Sequence, residues 1–187
     1  MINNENHLQP FYAKLNQSSV PNSASGFKKT NKDKIANILV AFIRNCKVEY
    51  NDRLKLNKLL FYTDFVYYKQ YGSSITGLSY RAIDFGPAPT FYDNIFTYFQ
   101  NENVIQSNWI KDCNGTAKET FLTEAEFEEE LFTVEEQGVI NTIIEKFKET
   151  SSWDLVDLSH KEQGWKKLHR ERGIIDYQEF AFDLIGV

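Results

Sequence analysis

Apolar residues recur at helical spacing through much of the chain. Ile35, Ile38, Leu39, Phe42 and Ile43 form one stripe and predict a helix over 32–46. Leu56, Leu59, Leu60, Thr63, Val66 and Tyr67 share a face over 52–71. Asp52 suits the positive end of that helix's dipole, and Gly72 follows Tyr71 as its stop. The period breaks over 73–89, SSITGLSYRAIDFGPAP, where Gly77, Gly86, Pro87 and Pro89 predict an irregular connection. Pro89 then opens a helix over 89–102, since its missing N–H is harmless in a first turn, with Phe91, Ile95, Phe96 and Phe99 inward.

Residues 104–110 and 116–122 flank KDCNG and predict a small hairpin whose loop, around Asn114-Gly115, exceeds two residues. Thr133 and Glu136 match a capping box opening a helix over 134–149, with Val139, Ile140, Ile143, Ile144 and Phe147 inside. Ser151 and Asp154 make a similar start for 152–159, and Trp165 and Leu168 fall in a further short segment. Tyr177, Phe180, Ala181 and Leu184 are spaced for a closing helix. The predicted fold class is mainly α, a compact multi-helix single domain with a small β-hairpin. Residues 1–30 differ: they are rich in Asn, Ser and Gln and carry Pro10 and Pro21, with only Leu8, Phe11, Tyr12 and Leu15 at helical spacing. They read as a polar segment or linker holding at most one short helix, ahead of a folded unit over 31–187.

Charge narrows the function. The 187 residues carry a net charge of -5, whereas a wholesale nucleic-acid binder is normally basic, so nucleic acid is a disfavoured partner. Lys161, Lys166, Lys167, His169, Arg170 and Arg172 form a local basic patch, read as solvated or as balancing acidic residues within the chain. Aromatics at 15% put large, rigid side chains into the core and are expected to leave some at a surface, where such residues favour interfaces. Cys46 and Cys113 imply no disulfide framework, the N-terminus lacks a signal peptide's pattern, and no apolar run is long enough to span a bilayer. A cytoplasmic protein with no membrane partner is expected.

Catalytic strings are missing from the sequence: there is no G-x-S-x-G, H-E-x-x-H, P-loop or G-x-G-x-x-G. Cys46, near the end of an amphipathic helix, reads as a core filler, and Cys113 in the hairpin loop has no orienting base nearby. No catalytic residue, metal site or cofactor is expected. The acidic run has two readings. Glu124, Glu126, Glu128, Glu129 and Glu130 form a solvated face, or Glu128, Glu129 and Glu130 cover a partner's cationic surface.

The stretch from Lys55 to Phe96 carries a pattern of its own. Lys55, Leu56, Lys58, Leu59, Leu60, Phe61, Tyr62, Asp64, Tyr71 and Gly72 are followed by Phe85, Gly86, Pro87 and Ala88. A second block, LVDLSHKEQGWKK, supplies Leu155, Leu158, Ser159, His160, Glu162 and Trp165, and the chain closes with IDYQEFAFDL. Together these resemble the Panacea domain, also called SocA-like or GepA-like, over about residues 30–185. The resemblance implies a compact helical core with a small β element. It also implies an antitoxin that neutralises a cognate protein toxin by direct binding, in a family paired with many unrelated toxins, often ones that attack translation. Alternatives within its reach are an adaptor delivering a toxin to an ATP-dependent protease and a phage-associated DNA-binding regulator. Longer relatives carry an N-terminal helix-turn-helix domain, and residues 8–29 here look like the linker after one.

Of the motif residues, Lys55, Lys58, Leu59, Tyr62, Asp64, Tyr71 and Trp165 read first as structural. Lys58, inside an apolar helix, is expected to snorkel or to pair with Asp64 or Asp84. Trp165 is expected to lock helices together. Gly86-Pro87 fixes a sharp backbone path that can be architectural, or can hold Asp84, Phe85 and Tyr92 at a docking rim. The toxin, the interface face and the oligomeric state, a homo-oligomer included, stay open.

Overall fold

Residues 20–111 and 114–187 are described in a computed structural model. Helix α1 (Lys32–Asn45) begins at Asn31, whose side chain accepts the Lys34 amide, and its inward stripe is fully buried. Helix α2 (Arg53–Tyr71) is capped by Asp52 and closed by Gly72 in a left-handed conformation. Its burial is not confined to one face. Every residue from Lys55 to Val66 is buried, because α1, helix α4 (Val134–Phe147), helix α5 (Ser152–Ser159) and a strand surround it. A central helix has no solvent stripe, so the one-sided pattern expected over 52–71 is replaced by burial all round.

The stretch 73–89 is not irregular throughout. Strands β1 (Tyr80–Ile83) and β2 (Gly86–Pro89) form a hairpin, and a short β5 (Ile174–Ile175) pairs on the far side of β1, giving the order β2-β1-β5. Pro87 and Pro89 are tolerated because β2 is the edge strand, where a ladder can lack two donors. Pro89 therefore ends a strand and does not open a helix; α3 starts later and spans Tyr92–Asn101. The expected hairpin appears as β3 (Gln106–Lys111) and β4 (Ala117–Leu122). The Thr133–Glu136 capping box and the Ser151 cap start α4 and α5 as expected.

Helix α6 (Gln163–Leu168) carries Trp165, and α7 is only one turn, Tyr177–Phe180, running into a 3-10 turn at Ala181–Asp183. The core centres on α2, where Phe61, Phe65, Tyr80 and Tyr177 meet ring to ring; Phe65 and Tyr177 stack at 4.1 Å. The folded body reaches further back than residue 31. The Ser74 amide donates to Gly26 O at 2.8 Å, and Phe27 stacks on Tyr68. Residues 22–30 thus belong to the body and not to a linker, while the helix expected around Leu8–Leu15 lies outside the described residues. Cys46 is buried at the end of α1; Cys113 also lies outside. No helix among the described residues is long and apolar enough to cross a membrane.

Candidate functional site

The β1–β2 turn gathers side chains from across the chain. Ile83 faces Gly86 in the ladder, so Asp84 and Phe85 form the loop, and Gly86 takes a φ of +94° that a side chain would resist. A β-carbon at Gly86 would collide with Ser159 Oγ and come within 2.6 Å of Lys58 Cε. The turn therefore lies directly on α2 and α5. From α6, the indole N–H of Trp165 donates to the Ile83 carbonyl at 2.8 Å. Trp165 is itself sandwiched between His160 (centroids 3.8 Å apart, 13° between planes) and His169 (4.3 Å, 15°). Arg172, in a left-handed conformation before β5, donates to Asp84 Oδ2 at 2.6 Å, while its carbonyl accepts from Arg81 at 3.0 Å.

Lys58 is the unusual member of this clamp. It is 1% exposed and, among the described residues, forms no ion pair with Asp64 or Asp84, the two partners expected for it. Asp84 is committed to Arg172. Asp64 accepts the amides of Ile75 and Thr76 at 2.8 and 2.9 Å, the Tyr80 hydroxyl at 2.7 Å and the Thr76 hydroxyl. With only a distant attraction to Asp52, burial pulls the Lys58 ammonium down to about 7. Burial, and then the neighbouring Lys58, also hold the His160 imidazole below its usual value; its Nε2 is buried with no hydrogen-bond partner among the described residues.

The other motif residues are structural fasteners. Lys55 donates to the carbonyls of Lys148 and Thr150 at 3.2 and 2.8 Å, closing the C-terminal end of α4. Leu59 sits in the core. The Tyr62 hydroxyl donates to buried Glu162 at 3.1 Å, and Glu162 also accepts the amides of Ile185 and Gly186, fastening the C-terminal strap. Tyr71, 49% exposed, lies against Tyr67 at the end of α2.

What the clamp displays is aromatic. Phe85 is 49% exposed and meets the edge of Trp153 on α5, itself 60% exposed, at 5.9 Å. Trp153 also lines a cleft of about 740 Å³ with Tyr50, Leu54 and Ile110, bordered by the Lys118–Asp52 and Arg53–Glu119 ion pairs. Tyr92 is half-buried close enough to Arg172 and Asp84 to feel their charges. Asp84, Phe85, Gly86, Pro87 and Tyr92 are therefore brought together. Glu128, Glu129 and Glu130 are exposed elsewhere: the Glu128 amide bonds Asn37 of α1, and Glu129 O accepts from Gln137 of α4. Two members of the basic patch pair inside the chain, Lys167 with Glu179 and Arg172 with Asp84. Trp153 and Ser159 were not singled out as site residues by sequence; the phase of α5, with Leu155, Val156 and Ser159 inward, is the signal that leaves Trp153 outside.

A mainly helical domain built round a buried central helix, which clamps a two-residue turn through side chains remote in sequence, is the class these features define. The chain belongs to the SocA-like antitoxin family, Panacea domain, whose model matches residues 56–166. That span runs from the first turns of α2 to just past Trp165, and so takes in Lys58, the turn, Ser159 and His160. An antitoxin-type role, and with it a protein partner, follows from that membership. No curated protein and no solved structure matches the chain.

Proposed function

We propose that the chain neutralises a cognate toxin by direct binding, without catalysis, and that the Phe85–Trp153 pair is the anchor of the interface. The observation that carries this reading is the convergence of family-motif residues, the side chains of Lys58, Ser159, His160 and Trp165 packed about the Gly86 backbone, beneath one exposed aromatic pair. Half-exposed aromatics on a rigid support lose little freedom when a partner covers them, which is the profile of interface hot spots. The cleft beside Trp153 offers an apolar recess for a partner side chain.

The test is co-expression with the product of the adjacent gene. That product should arrest growth alone and be harmless beside this chain. Phe85→Ala with Trp153→Ala should abolish protection while the melting temperature stays close to wild type. Charge reversal at Glu128, Glu129 and Glu130 serves as the rival: protection lost there and kept in the aromatic double variant would move the interface to the acidic run. A toxin that vanishes from protected cells in a protease-dependent way, instead of persisting in a complex, would assign the chain as an adaptor.

A further inference from the structure

Strands β3 and β4 form a sheet with no third strand among the described residues. The amide of Phe121 turns away from β3 and donates to Asn51 O at 2.8 Å, so the outer edge of β4 is partly covered. Phe121 stands opposite Ser107, which makes that pair one that exchanges no backbone bonds across the ladder. Alternation then sends the N–H and C=O groups of Ser107, Trp109 and Lys111 outward, while Gln106, Asn108 and Ile110 bond β4. The Thr120 hydroxyl, which reaches the Asn108 carbonyl at 3.2 Å, agrees with that orientation. Among the described residues no backbone group meets the three outward residues. Trp109 beside them is 67% exposed.

Edges of this kind are usually blunted by charged side chains, lysine above all, by proline, by a bulge or by a covering loop. Here six residues pair in an unbroken register, with one lysine and no proline among them. We propose that the β3 edge pairs with the β3 edge of a second copy of this chain, antiparallel and centred on Trp109, joining two hairpins into one four-stranded sheet. In this register Trp109 exchanges both of its backbone bonds with the partner subunit's Trp109, and Ser107 and Lys111 each exchange theirs with the other residue across the axis. All the outward donors and acceptors are then used. The charges select it too. Lys111 lies opposite a serine, whereas centring on Lys111 would set two ammonium groups face to face, and centring on Ser107 would strand the bonds of Lys111. The two indoles meet at the axis, which gives the contact its apolar centre.

Sedimentation of the full chain over a range of concentrations tests this directly. A mass twice 21.8 kDa is expected as concentration rises, with Trp109→Lys returning the single-chain mass and Trp153→Lys keeping the double one. Amide exchange on the wild type supplies a readout that needs no variant: Ser107, Trp109 and Lys111 should exchange slowly in the dimer and freely on dilution. A single-chain mass throughout overturns the proposal, as does a dimer that survives Trp109→Lys or leaves those three amides unprotected. Protection that arises only when toxin is added overturns it as well and gives the edge to a toxin strand.

Discussion

The indole of Trp165 and the carbonyl of Ile83 are joined at 2.8 Å across 82 residues of chain. The bond ties α6 to the last rung before the Asp84-Phe85 loop, and flanking imidazoles leave the indole little room to swing. Trp165→Phe keeps a ring between His160 and His169 but removes the donor. It should cost about 1–2 kcal/mol in denaturant unfolding, the usual worth of one hydrogen bond with a little packing. Toxin neutralisation should fall more than that loss explains, because the turn is released. Equal loss in both measurements would leave Trp165 with a purely stabilising role.

Lys58 makes stability depend on pH in a definite direction. Its ammonium is near 10.5 in an open chain and about 7 in the fold, so between those values the unfolded chain holds more protons than the native one. Stability attributable to this group therefore rises with pH across that window, and the charge penalty is greatest below it. Lys58→Met removes the penalty and fills the same space. The variant should be more stable than wild type by on the order of a few kcal/mol at neutral or slightly acid pH, and the gap should close toward pH 10. Paired urea titrations at several pH values check it; a gap independent of pH would refute the neutral-lysine description.

Gly86→Ala attacks the same clamp from the backbone. The methyl would meet Ser159 Oγ and Lys58 Cε, and the φ of +94° is foreign to alanine. A loss of about 1–3 kcal/mol is expected from the dihedral alone, with the collision in addition. Chemical denaturation gives the number. Ser159→Ala in the same chain should relieve part of the collision but none of the dihedral cost, so the double variant should recover only partly.

Asp64 is a different kind of buried charge. Its four donors are two amides and two hydroxyls, and together they hold the loop after α2 against β1. Asp64→Asn supplies one acceptor oxygen and turns an amide N–H₂ toward other donors. Loss of about 1–3 kcal/mol per donor left unpaired follows, making this the most damaging of the four changes. A melting temperature within a degree or two of wild type would show that the loop is held by something else.

Sequence periodicity was sufficient where an element has one wet and one dry face. It placed α1 by its stripe and α4 and α5 by their starts at Thr133 and Ser151, while the Asn31 cap of α1 emerges only in the fold. The same logic recognised α2 as a helix but not as the middle of the molecule, since a helix surrounded on every side has no stripe to read. The β1–β2 hairpin was hidden because its prolines and glycines argue against a strand everywhere except an edge, and edge position is a tertiary fact.

The candidate site was legible only in part. Asp84, Phe85, Gly86, Pro87 and Tyr92 are neighbours in the chain and remain so in space. The clamp beneath them depends on contacts such as Arg172 with Asp84, 88 positions apart, which no local pattern announces. The partner expected for Lys58 was wrong for a similar reason: Asp64 shares its helix but turns toward the Thr76 loop, away from the lysine.

The two loop residues of the hairpin touch solvent, and the groups that fix their path lie underneath. This arrangement resembles a tool bit gripped in a chuck. Phe85 can be exchanged for another side chain while Gly86, Lys58, Ser159 and Trp165 keep their grip, so, if the proposed interface holds, the chemistry offered to a toxin can drift without disturbing the scaffold beneath it.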